Sequence, residues 1–191
     1  MNEDFQLVIP PLTVRFFERG QHCENPKDTD IILVDHGTIA STLIEDAEKI
    51  ATIREPALDG YTWCGHAGVI RTSDAIVPMI SEMGFWGYER RPLESYRARL
   101  YAVVSFDIDD TQRRAAAQFD NAMSGADYGW FEYPAIIVDD ATGLQLDASW
   151  SDHVICSTHV MMVQAAAGFL GTRLAVRTEP MRLAMWCGAR R

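Results

Sequence analysis

The sequence predicts one domain that mixes β-strands with helices. Three observations carry this: short runs of branched apolar residues bounded by turn residues, one helix with both of its end signals, and a late apolar stripe at helical spacing headed by a cysteine. With 191 residues, 48% of them hydrophobic, the chain has enough apolar material for one sizeable core. No repeat or low-complexity tract divides it.

Asp30 to Asp35 (DIILVD) reads as a buried strand, because an unbroken branched run needs cover on both faces. His66 to Arg71 (HAGVIR) and Ala75 to Glu82 (AIVPMISE) read as two more strands, joined through Thr72, Ser73 and Asp74 as a hairpin-sized loop. Leu100 to Phe106 (LYAVVSF) is a fourth strand. A helix then starts at the N-cap Asp109, with Gln112 three positions on, and stops at Gly125. Residues 126–150 mix aromatics with turn residues and give no firm assignment. From Ile155 onward, apolar or small residues at 156, 160, 163, 167 and 170 form a helical stripe ending at Gly171, with Cys156 at its top.

A formal net charge of −10 opposes nonspecific attachment to phosphate backbones, so nucleic acid is not an expected partner. Cys23, Cys64, Cys156 and Cys187 are widely spaced in a chain too large to need stapling, and they read as thiols of a reducing compartment. The first residues are acidic and lack the apolar run of a signal peptide, and no later stretch has the length of a membrane span. A soluble protein, cytoplasmic by default, is the expectation.

A cysteine in the first turn of a helix meets the positive end of the backbone dipole and amides without helical acceptors, which favours thiolate and offers donors for an oxyanion. Cys156 holds that position, against the ordinary alternative of a space-filling core thiol. Its base is expected to be His66, which begins a strand among the small residues Gly65, Ala67 and Gly68. If the hairpin pairs Arg71 with Ala75, His66 faces Ile80, and Glu82 becomes its diagonal neighbour on the same face. A slip of one residue would exchange Glu82 for Ser81, and Pro78 allows a bulge or an edge position in that strand. His159, one turn along the helix from Cys156, competes with His66 as base. His153 belongs to the approach loop, Asp152 should point away from the sulfur, and His22 and His36 read as structural.

DIILVDHG, CGHAGVI, IVPMISEMG and HVICSTHVMMVQAAAGF together resemble, in order and spacing, the circularly permuted branch of the papain-like NlpC/P60 superfamily of cysteine hydrolases. The resemblance covers roughly residues 28–170 and places Asp30, His66, Glu82 and Cys156 at that branch's motif positions. ADYGWFEY and RTEPMRLAMW are similar to segments flanking its cysteine motif and ending its chains, whereas Gly65, Thr158 and His159 depart from its usual residues. It implies an α+β fold, an antiparallel sheet packed against the cysteine-bearing helix. Residues 28–191 would then be the catalytic domain and 1–27 an N-terminal arm. The triad it implies is Cys156, His66 and Glu82, acting through a thioester on a peptide, amide or acyl-ester substrate without cofactor or metal. Trp63, Trp86, Tyr128 and Trp130 are candidate walls of a cleft. Two alternatives stand beside this reading. One is a noncatalytic binding or structural protein that keeps the fold; the other is a zinc site built from Cys64, His66, Cys156 and His159.

Overall fold

Four successive buried residues in Ile31–Asp35 (β2) require a strand covered on both faces. In the computed structural model, which describes residues 10–35, 52, 56–84, 86–128, 153–168 and 180–191, β2 is a central strand of a six-stranded antiparallel sheet. The other strands are Leu12–Phe17 (β1), Cys64–Arg71 (β3), Met79–Gly84 (β4), Gly87–Pro92 (β5) and Tyr101–Phe106 (β6), in the spatial order β1-β6-β2-β3-β4-β5. Ile31 and Leu33 join a core shared with the helices; Ile32 and Val34 join a second core with Ile70, Ile80, Leu93 and Tyr101. The apolar run is thus explained by two cores, one on each face.

Three α-helices are among the described residues: Asp110–Ala122 (α1), Cys156–Ala166 (α2) and Pro180–Trp186 (α3). The fold is therefore α+β. At the start of α1 the expected capping box is complete, Gln112 N–H donating to Asp109 Oδ1 at 2.8 Å and Asp109 N–H to Gln112 Oε1 at 3.1 Å. The α2 helix stops earlier than the stripe suggested, because Gly168 takes a φ of +90°, a conformation glycine adopts freely, and closes the last turn; Gly171 lies outside the described residues. Two-residue strands Asp127–Tyr128 (β7) and His153–Val154 (β8) pair in parallel just before α2. No described helix is long and apolar enough to cross a membrane, and all four cysteines are buried thiols outside any disulfide.

One expectation is corrected, and two strands lie where the sequence reading placed none. Leu12–Phe17, inside the segment read as an arm, is an edge strand of the sheet, paired with β6 along its whole length. Gly87–Pro92, too polar to stand out as a strand, forms the opposite edge, where charged side chains are at home. The strand expected at 75–82 begins only at Met79. Asp28 captures the amides of Thr72 and Ser73 and the Ser73 hydroxyl, Pro78 has no N–H to give a ladder, and Ile76 is fully exposed. Arg71 accordingly pairs with Met79, four residues from the expected partner.

Candidate active site

A four-residue shift is even, so it leaves every side chain on its expected face. Pairs Val69–Ser81, Ile70–Ile80 and Arg71–Met79 set Glu82 on the sheet face opposite to Ser81, and alternation gives His66 the same face as Gly68 and Ile70. His66 Nε2 and Glu82 Oε2 lie 2.7 Å apart, so the diagonal contact forms although the register that suggested it is different. Ser81 turns the other way, its hydroxyl donating to Asp120 Oδ1 at 2.7 Å. Gly68 makes the contact possible. A Cβ there would lie 2.6 Å from Ile80 Cγ2, 3.0 Å from the Ser81 carbonyl oxygen and 3.4 Å from Glu82 Cβ.

The β2–β3 ladder shifts between Val34–His66 and Asp35–Cys64, passing over Gly65. Bulges of this kind re-aim the neighbouring side chain, and here the neighbour is His66. Its side chain keeps 28% exposure while Glu82 keeps 3%. Glu82 is further held by the Tyr96 hydroxyl, which donates to Oε2, and by Arg91, whose Nε lies 3.3 Å from Oε1. Burial alone would raise the Glu82 pKa, but the His66 bond and charge, with Tyr96 and Arg91, outweigh it and keep the carboxyl below its ordinary value. The same burial and the Glu82 charge push the Tyr96 phenol up, so it stays a donor.

Cys156 is the first residue of α2 and 4% exposed, and its N-cap, Ile155, offers no side-chain bond to the first-turn amides. The first helical bond comes from His159 N–H to the Ile155 carbonyl, so the amides of 156–158 precede the helical ladder. Positioning comes from the chain before it: Val154 pairs with Tyr128 in the parallel β7–β8 pair, and Tyr88 N–H of β5 donates to the Ala126 carbonyl. The Cys156 side chain comes within interaction range of the His66 ring and is the strongest of the groups that raise its pKa. With Nε2 committed to Glu82, Nδ1 is the nitrogen left for the sulfur. Burial works against the imidazolium, but the sulfur's charge and bond, followed by those of Glu82, push the His66 pKa up to about 10. An ionised Glu82 can only accept, so Nε2 is the protonated nitrogen in their contact.

The other sequence candidates fall elsewhere. His159 is fully buried and its Nε2 lies 2.9 Å from Asp120 Oδ1, which takes it out of the role of base. His22 pairs with Glu94 at 3.0 Å on the surface. Cys64 directs its thiol to the His66 carbonyl oxygen at 3.5 Å, and among the described residues no three His, Cys, Asp or Glu side chains gather as a metal set. Burial pushes the Cys187 thiol up to about 12 and raises that of Cys23. Trp63 ties to the Ala189 carbonyl at 2.9 Å and packs on Phe16, a structural duty; Trp86 is 89% exposed. The side chains of Tyr128 and His153, and residues His36, Trp130 and Asp152, lie outside the described set. A surface groove of about 340 Å³ between Asp28, Asp74, Arg113 and Asn121 contains none of Cys156, His66 and Glu82.

Tyr96 and Arg91 are the residues the sequence reading missed. Both lie in the polar stretch YERRPLESY, where the only signal was an unusual density of donors after a strand. Neither a scan of protein-family models nor a search of curated proteins gives a match to this chain.

Proposed function

We propose that the chain is a thiol hydrolase of the permuted papain-like kind, in which Cys156 attacks the carbonyl carbon of an amide or ester. One observation carries this reading: a single imidazole, His66, lies 2.7 Å from a buried carboxylate and interacts with the side chain of a helix-start cysteine. The Cys156 sulfur, ionised against the His66 imidazolium, forms the bond to the carbonyl carbon. The oxygen then carries the negative charge, which the first-turn amides of α2 are placed to receive. His66 gives its proton to the departing amine or alcohol, leaving a thioester. A water molecule, its proton taken by His66, attacks the thioester, releases the acid and returns the thiol. Glu82 keeps the ring aligned and stabilises its cation, as the carboxylate of a nucleophile–histidine–acid relay does.

Alkylation with iodoacetamide at mildly acidic pH tests the first step. Cys156 should be modified well ahead of Cys23, Cys64 and Cys187, as located by peptide mass spectrometry, and His66→Ala should abolish the lead. An acyl electrophile should leave an adduct on Cys156 alone. Equal, slow modification of all four thiols would sink the proposal.

A further inference from the structure

The reading of Cys156, His66 and Glu82 as one reacting site leaves open what fixes a helix tip against a strand end. Asp120, fully buried on α1, faces groups from four other elements. Its Oδ1 accepts from Ser81 Oγ of β4 at 2.7 Å and lies 2.9 Å from His159 Nε2 of α2. Its Oδ2 accepts from Arg71 of β3 at 2.6 Å and from the Tyr88 hydroxyl of β5 at 3.2 Å, with Arg90 of β5 at 3.6 Å. Ser81 immediately precedes Glu82, and His159 follows Cys156 by one helical turn.

We propose that Asp120 is a positioning residue for this site: one carboxylate oxygen holds both the helix that carries Cys156 and the strand that carries Glu82. The inference rests on the proposed function. Because neighbouring residues on a strand point to opposite faces, Ser81 is anchored beneath the sheet while Glu82 reaches His66 above it. A rotation of α2 by one residue, or a slide of about one helical rise, would remove His159 from Asp120 and carry Cys156 away from His66. His159 Nδ1 is buried with no hydrogen-bond partner, so the bond through Nε2 is the ring's polar anchor.

The experiment uses the full chain with ¹⁵N-labelled imidazoles and follows the His66 titration by NMR, beside far-ultraviolet circular dichroism as a check of folding. In His159→Leu, which leaves the Arg71–Asp120 pair intact, the His66 pKa should fall by about one pH unit or more toward its ordinary value, and Cys156 alkylation should slow about tenfold. His159→Gln places an amide N–H near the lost Nε2 and should restore both. Asp120→Asn should behave like His159→Leu. A folded His159→Leu with unaltered His66 titration would overturn the positioning role and leave the hydrolase reading intact. A wild-type His66 that titrates at its ordinary value would overturn both.

Discussion

Glu82 is a carboxylate almost without water, surrounded by three donors from three places: His66 on β3, Arg91 on β5, and Tyr96 in the single 3₁₀ turn that follows β5. Charge and geometry both depend on it, which makes Glu82→Gln a sharp probe. The amide can occupy the same space but cannot stabilise an imidazolium, so His66 loses one of the groups that hold it near 10. Turnover of an activated ester should drop by roughly 10²–10⁴-fold, the range a positioned acid–base group contributes. The sign of the linked stability follows from the raised pKa. Protonated His66 favours the fold fully below its unfolded value near 6.5, and that contribution disappears as pH climbs through about 10. Thermal unfolding of the wild type should therefore weaken over this alkaline window, and Glu82→Gln should weaken less. Alternation along a strand, given a register that differs from the observed one by an even number of residues, nominated Glu82 from sequence, with Ser81 as its alternative. Nothing comparable could nominate Tyr96, because a residue from a separate turn enters the site only through the folded path of the chain.

At the level of elements, the site depends on how close β3 and β4 come beside Gly68. The Ser81 carbonyl is backbone and cannot rotate away, so a methyl group at 68 forces the strands apart or twists them. Gly68→Ala should cost about 1–3 kcal/mol by overpacking, measured by urea unfolding. It should also lengthen the His66–Glu82 contact and slow Cys156 alkylation, whereas Asp109→Ala, which removes the α1 cap where Gln112 meets Ala167 at the other end of α2 from Cys156, should cost about 1 kcal/mol and leave that rate alone. Equal effects of the two variants on the thiol would refute the dependence on strand spacing. The two helix starts illustrate why some elements are legible and others not. Asp109 and Gln112 announce α1 by local chemistry, while β5, read as GYERRP, has its pattern set by being an edge. The onset of β4 was misread for a related reason: Ala75 to Val77 has strand-like composition, but Asp28, far away in sequence, claims the preceding amides and holds those residues in a loop.

Across the whole molecule, four other elements converge on Asp120, and Arg71, only 1% exposed, extends that cluster to Asp28 and Asp74. Burial opposes ionisation of Asp120, yet the His159 bond and charge with the Ser81 and Arg71 bonds hold its pKa down to about 2. A depressed carboxyl stabilises the fold above its unfolded value of 3.8 and withdraws that support as pH falls toward 2. The melting temperature should decline between about pH 5 and pH 2, and Asp120→Asn, less stable at neutral pH, should lose less over the same interval. Parallel decline in both chains would assign acid unfolding to other carboxylates. By itself, the sequence determined that strands and helices combine in an α+β fold, that α1 is capped by Asp109, and that Cys156 heads a helix, since apolar period and capping act over a few residues. Only the tertiary structure decided the β3–β4 register, the edge strands β1 and β5, and the commitment of His159 to Asp120 rather than to Cys156. Those outcomes follow from where distant carboxylates and carbonyls sit once two cores have closed on the two faces of one sheet, a competition no local window of residues contains.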